Sequence, residues 1–177
     1  MTAINRHLSG DMNTVKAPIK AATVVEMGDF LFMNVTGGLL STTSAKDDCA
    51  YPFSDMRAAT AEATCAPGML QYTFLGVAME SSPASGVTDN ITVASSGFFR
   101  YPLHPDWVTS AVTVGSLVSA VSYELTGGVS NQHVIMIAAT PGSTCYLGRC
   151  IKTESAATFV DFELMTAFGP CGVAKAI

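Results

Sequence analysis

A short pattern that occurs twice constrains this chain's fold more than any other feature. A turn glycine leads into an apolar extended run, and a second run carrying Leu-Gly follows it. The first copy goes from Met27-Gly28-Asp29-Phe30-Leu31-Phe32 to Phe74-Leu75-Gly76-Val77-Ala78-Met79. The second goes from Val114-Gly115-Ser116-Leu117-Val118 to Tyr146-Leu147-Gly148-Arg149-Cys150. An alternating stretch comes after each, Asn90-Ile91-Thr92-Val93-Ala94 and Thr158-Phe159-Val160-Asp161-Phe162-Glu163-Leu164. Glycine permits a positive φ at a turn, and inside a strand it marks a bulge or a close backbone approach. Gly28, Gly76, Gly115 and Gly148 are therefore expected at turn or bulge positions that a side chain would disturb. Identity between the copies is confined to glycines and apolar types, which fits one unit used twice and equally a coincidence in a Gly-rich β chain.

Short apolar runs at regular spacing, separated by Gly or Pro turns, predict an all-β fold, a compact barrel or sandwich. The run Phe30 to Val35 is apolar on both faces, so it is expected to be covered on both sides. Of the adjacent pair Phe98 and Phe99, one is expected in the core and the other against a neighbour or loop. Residues 1–22 lack periodicity and read as an extended N-terminal arm, either a flexible tail or a segment that docks on a neighbour. Within it Val15-Lys16-Ala17-Pro18-Ile19 alternates, and the proline restricts any strand there to an edge. Residues 23–168 form the β-domain and 169–177 a C-terminal tail. Residues 44–68 read as an insertion into the first copy, carrying a short helix capped by Ser54 with Asp55 in its first turn, or else an irregular Ala/Thr loop.

At 177 residues the chain suits one domain, or two small lobes, without disulfide staples. Charged residues make up 13%, roughly half the usual share. Either a partner covers part of the surface, or the surface is built of Ser and Thr. The net charge of −5, with Lys and Arg scattered singly, supplies no basic stripe, so nucleic acid is not an expected partner. No apolar run reaches the length of a membrane helix and the N-terminal stretch has no signal core, which predicts a protein made and folded in a cytoplasm. Five cysteines at 49, 65, 145, 150 and 171, an odd count at irregular spacing, predict buried free thiols rather than a disulfide framework.

The residues offer no nucleophile with a base, no His-Glu-x-x-His and no phosphate-binding glycine loop. His104 and Asp106 flank a proline and read as a turn, and Asp47-Asp48-Cys49 lacks the further oxygen ligands calcium needs. No enzymatic activity, cofactor or metal is expected.

The runs Thr23 to Phe32, Phe74 to Glu80, Ile91-Thr92-Val93, Gly97-Phe98-Phe99-Arg100-Tyr101-Pro102, Val114 to Val118 and Leu147-Gly148-Arg149-Cys150 resemble the small β-rich head-decoration (capsid cement) proteins of tailed bacteriophages. The similarity covers residues 23 to 164, and the segment 44–68 departs from the compact pattern of that family. It implies a non-enzymatic virion protein that binds the outside of an assembled head through the major capsid protein, often as a homotrimer, and stabilises it. The arm would then be a clamp, with Val15, Lys16, Pro18 and Ile19 contacting the coat as the backbone joins a sheet edge. The competing reading is a carbohydrate-binding or other surface-recognition β-module. Such a module needs a groove with aromatic and carboxylate groups, and Trp107 lies in sequence near Tyr101, His104 and Asp106.

Overall fold

The computed structural model describes residues 7–33, 49–58, 73–84, 86–105, 111–120, 131–137 and 146–166. Strands dominate: β1 (His7–Ser9), β2 (Thr14–Ile19), β3 (Phe30–Met33), β4 (Ala50–Pro52), β5 (Phe74–Ala78), β6 (Asp89–Ala94), β7 (Phe98–Pro102), β8 (Leu117–Ala120), β9 (Val134–Ile137), β10 (Gly148–Cys150) and β11 (Phe159–Leu164), with helix α1 (Phe53–Ala58) after β4. The fold is all-β, as the spacing of apolar runs and turns predicts. A closed barrel in the order β2-β4-β3-β5-β6 sits beside a six-stranded sheet in the order β1-β7-β11-β10-β8-β9.

The pairings show one unit built twice. Leu31 faces Gly76 in the barrel, and Val118 faces Gly148 in the sheet. Thr14 pairs with Ala94 and Lys16 with Thr92, as Phe98 pairs with Glu163 and Arg100 with Asp161. Met33 faces Ala50 as Ala120 faces Val134. Even the irregular contacts match. Gly28 N–H donates to Ala78 O at 2.8 Å and Gly115 N–H to Cys150 O at 2.9 Å, while Ala78 N–H returns to Asp29 O and Cys150 N–H to Ser116 O. The parallel contact Ile19–Ala50 that closes the barrel has its counterpart in the bridge Leu103–Val134, so β7 meets β9 as β2 meets β4. Matching register and matching loop hydrogen bonds together settle the repeat in favour of a duplicated unit, here called the first (β2–β6) and second (β7–β11) units.

Three expectations need correction. Residues 14–19 are a wall strand of the first unit and not part of a detached arm. β2 pairs with β6 along its whole length and buries Ala17 and Ile19. The alternation of Val15, Ala17 and Ile19 is visible in the sequence, but it is confined to one short run in an otherwise non-periodic stretch. The edge expectation for the proline is corrected as well: β2 pairs with β6 on one side and, through Ile19–Ala50, with β4 on the other, so Pro18 sits in a closed wall. It is tolerated there because Thr92 C=O accepts from Met79 N–H on the β5 side, so Lys16 and, two residues on, Pro18 turn their backbone groups away from β6. The segment 44–68 is also not wholly an insertion. It contains β4, a framework strand equivalent to β9, which at three residues ending in proline is too short to show alternation. The helix begins at Phe53, so Ser54 lies inside its first turn, where its N–H donates to Asn131 Oδ1 at 2.6 Å. Asp55 does fall in that first turn.

Phe30, Leu31 and Phe32 are all buried, and they serve two different cores. Leu31 joins Ala17, Ile19, Val25, Leu75, Ile91 and Val93 inside the first barrel. Phe30 and Phe32 belong to a larger cluster that includes Phe74, Tyr51 and Phe53 of the first unit and Phe99, Tyr101, Val118 and Phe162 of the second. The two units therefore share one continuous apolar core, in which the Phe30 and Tyr101 rings lie 4.6 Å apart between centroids.

Candidate functional site

Polar groups that join the units are spent on holding them together. Asp29 is buried, and its carboxylate accepts from Glu26 N–H and from Gln132 Nε2 of the second unit, both at 2.9 Å. Burial raises its pKa above the ordinary value, partly opposed by those two hydrogen bonds. Tyr101 donates its hydroxyl to Gly28 O, and Phe30 N–H donates to Asn131 O at 3.1 Å. This network ties the first unit to the second.

The outer face of the second unit is different. Side chains alternate across β7, β11 and β10, so Phe99, Tyr101, Val160, Phe162 and Cys150 go to the core. Phe98, Arg100, Phe159, Asp161, Glu163 and Arg149 take the opposite face. Arg100 and Asp161, directly opposite each other, form a two-pronged pair with Nε–Oδ1 2.6 Å and Nη2–Oδ2 2.8 Å. That hydrogen bonding holds the Asp161 carboxyl below its usual range and raises Arg100. Beside the pair, Phe159 is 50% exposed and Ile151 39%, with Val114 at 58% on the adjoining turn. The result is an apolar rim around a satisfied ion pair on a paired, rigid sheet. The first unit carries the weaker counterpart, Lys16 Nζ 3.2 Å from Glu80 Oε2, where Glu80 also accepts from the backbone and hydroxyl of Thr92 and has its pKa lowered by them.

The outer face of the second unit ends in a cleft where both units begin and end. The β1–β2 connection supplies Gly10, Asp11 and Asn13, the β6–β7 turn Ser95, Ser96 and Gly97, β7 Phe98, and the end of β11 Glu163, Leu164 and Thr166. Its cavity measures about 380 Å³. Hydrogen bonds fix its floor: Thr166 Oγ1 donates to Ser95 O at 2.9 Å, and Asn13 N–H donates to Ser96 Oγ at 2.9 Å. Phe98 is half-buried with its ring against Gly10, where a side chain would come within 2.8 Å of the ring.

The residues singled out in the sequence fall elsewhere. Of the four expected coat contacts on β2, Lys16 is exposed, Val15 and Pro18 are half-buried, and Ile19 faces the barrel interior. Gly28 and Gly115 have φ of +94° and +87°, and Gly76 has +146°. A Cβ at Gly76 would collide with the Ala94 carbonyl oxygen, and one at Gly148 with the equivalent Glu163 carbonyl. Of the aromatic cluster proposed for carbohydrate, Tyr101 and His104 are buried, while Asp106 and Trp107 lie outside the described residues. Cys49 and Cys150 are buried, and burial raises the Cys150 pKa; Cys65, Cys145 and Cys171, like Asp47 and Asp48, lie outside the described residues. Among the described residues there is no group of three or more metal-ligating side chains. Sequence reading missed the cleft. Its only signal was the Ser95-Ser96-Gly97 turn before an aromatic pair.

The geometry defines a tandem all-β protein with an exposed sheet face and a cleft at the joint of its units. No family model matches the chain, and no curated protein matches it. Among solved structures it is similar to the N base of the head fiber protein gp8.5 of bacteriophage phi29, at 13% identity and a TM-score of 0.42, over 86% of this chain and 94% of that one. Overlap at that level assigns neither a family nor a role.

Proposed function

We propose that this chain is a non-enzymatic structural protein of a tailed-phage virion, bound to the outer surface of the assembled head as a decoration protein. It contacts the major capsid protein and other copies of itself as a trimer. The observation that carries the proposal is the outer face of β7, β11 and β10, where Phe159 and Ile151 stay exposed around the Arg100–Asp161 pair in a chain whose motifs resemble that class. Aromatic and Arg side chains on a rigid support are what protein interfaces enrich. A protein that binds only the assembled shell adds its binding free energy to that state alone, and a trimer gains further through effective concentration. Of the β2 residues, Lys16 stays available to the coat and Val15 and Pro18 partly so, while the buried Ile19 supports the strand from within. The main contact thus moves from a clamp arm to the face of the second unit.

The test is co-sedimentation with expanded, undecorated phage capsids. The parent chain is expected in the pellet, and Phe159→Asp and Ile151→Asp variants with parental melting temperatures are expected to remain in the supernatant. Equal pelleting by the variants would remove this face from the reading, and absence of the parent from the pellet would sink head binding itself.

A further inference from the structure

We propose that the cleft at the joint of the two units is a binding site for a neutral saccharide, separate from the head-binding face. The polar groups lining it divide into two sets. The hydroxyls of Ser95, Ser96 and Thr166 are consumed by the backbone of Asp11, Asn13 and Ser95, which fixes the shape of the floor. Over that floor the Asp11 and Glu163 carboxylates have no hydrogen-bond or ion-pair partner among the described residues, and the Asn13 side chain is exposed. Two carboxylates offer acceptors only, and an amide offers both donor and acceptor. Arg149, exposed and directly across from Glu163 on β10, is outside the cleft's own lining but places donors next to Glu163, and it forms no ion pair with Glu163 among the described residues. The half-exposed Phe98 ring supplies an aromatic surface to the cleft.

That complement selects its ligand. A phosphate or sulfate would meet two carboxylates and is repelled. A lone cation would find no third carboxylate and would have the Arg149 guanidinium as a neighbour. An apolar ligand would leave both carboxylates desolvated and unpaired. A ring of hydroxyls gives donors to Asp11 and Glu163, accepts from Asn13 and Arg149, and sets its C–H face on Phe98. The cavity of about 380 Å³ falls within the roughly 300–1,000 Å³ of small-molecule sites, which favour joints between structural units. This is the groove of aromatic and carboxylate groups that a carbohydrate-binding module requires, placed at Phe98, Asp11 and Glu163 and not around Tyr101 and His104.

The experiment uses the full chain on a printed array of neutral and acidic glycans, followed by calorimetric titration of the best-retained glycan. At least one neutral glycan is expected to bind. The double variant Asp11→Asn, Glu163→Gln, whose changed groups hold no part of the fold, should keep the parental melting temperature and bind at least tenfold more weakly. Ser96→Ala, which loses two floor hydrogen bonds, should weaken binding less. Retention of no glycan by the parent would overturn the proposal, as would equal affinity of parent and double variant. Retention of acidic glycans only would equally overturn it. None of these readouts involves capsids, so failure here leaves head binding to its own test.

Discussion

The Tyr101 hydroxyl donates a 2.5 Å hydrogen bond to the carbonyl oxygen of Gly28, linking a core strand of the second unit to the first turn of the repeated motif in the first. Gly28 N–H is held by Ala78 O within its own unit, so the turn is fixed from both sides. Tyr101→Phe keeps the ring against Phe30 and Phe162 but leaves the Gly28 carbonyl buried without this donor. A loss of about 1–3 kcal/mol is expected, read as a lower urea midpoint with an unchanged slope. An unchanged midpoint would mean the bond contributes nothing to the joint.

Glycine substitutions should rank by what the new side chain meets. At Gly76 and Gly148 it strikes a backbone carbonyl of the neighbouring strand, and Gly76 is also at φ +146°. Each Gly→Ala change there should cost on the order of 2 kcal/mol or more, since a ladder carbonyl cannot swing away. Gly115, at φ +87° with open space around it, should lose only about 1 kcal/mol. Gly86 has nothing within 4 Å and no positive φ, so Gly86→Ala should be neutral. Thermal melts of the four variants check the order, and a neutral Gly148→Ala would contradict the close strand approach.

Burial raises the pKa of Asp29, so the folded state holds that proton more tightly than the unfolded chain. Its contribution to stability is therefore fully present below the ordinary carboxylate value of 3.8 and is lost as pH rises through its raised value. Asp161 has the opposite sign. Its Arg100 partner lowers its pKa, so its contribution is present above 3.8 and lost as pH falls through the depressed value. Denaturant midpoints of the parent, Asp29→Asn and Asp161→Asn across acid to neutral pH should show it. The parent's advantage over Asp29→Asn should shrink with rising pH, and its advantage over Asp161→Asn should grow. Parallel curves for either comparison would contradict the corresponding shift.

How much could be read in the sequence follows from where information is local. The glycines and alternating runs of both copies mark β3, β5, β6, β8, β10 and β11 because a two-residue period and a turn residue are visible within a few positions. β4 stayed hidden because Ala50-Tyr51-Pro52 is too short for a period, and its place is set by pairing with β3 across the unit. The equivalence of Lys16-Ala17-Pro18-Ile19 with Arg100-Tyr101-Pro102-Leu103 lay in plain view, but it carries no glycine and one position exchanges Ala for Tyr. The cleft was illegible for another reason. Asp11, Ser96 and Glu163 are ordinary turn and surface residues in sequence, and only the meeting of both units' first and last strands brings them together.

Removing the N-terminal residues separates a wall strand from an arm. β2 contributes Val15, Ala17 and Ile19 to the barrel core and covers Ile91 and Val93 of β6. Each large aliphatic side chain returned to water costs about 1.5–3 kcal/mol. Losing Val15 and Ile19 while uncovering Ile91 and Val93, together with a six-residue ladder, approaches or exceeds the roughly 5–15 kcal/mol that holds a domain folded. Deleting residues 1–20 should therefore abolish the cooperative transition and the near-ultraviolet circular dichroism of the buried aromatics. Deleting residues 1–9 removes β1, with its two pairings to β7 and the His7 ring edge-on to Phe99, and leaves β2 in place, so the shortened chain should melt cooperatively at a lower temperature. A parental melt after loss of residues 1–20 would return this segment to the role of a dispensable arm, because no barrel keeps its stability when a strand is taken from its closed wall.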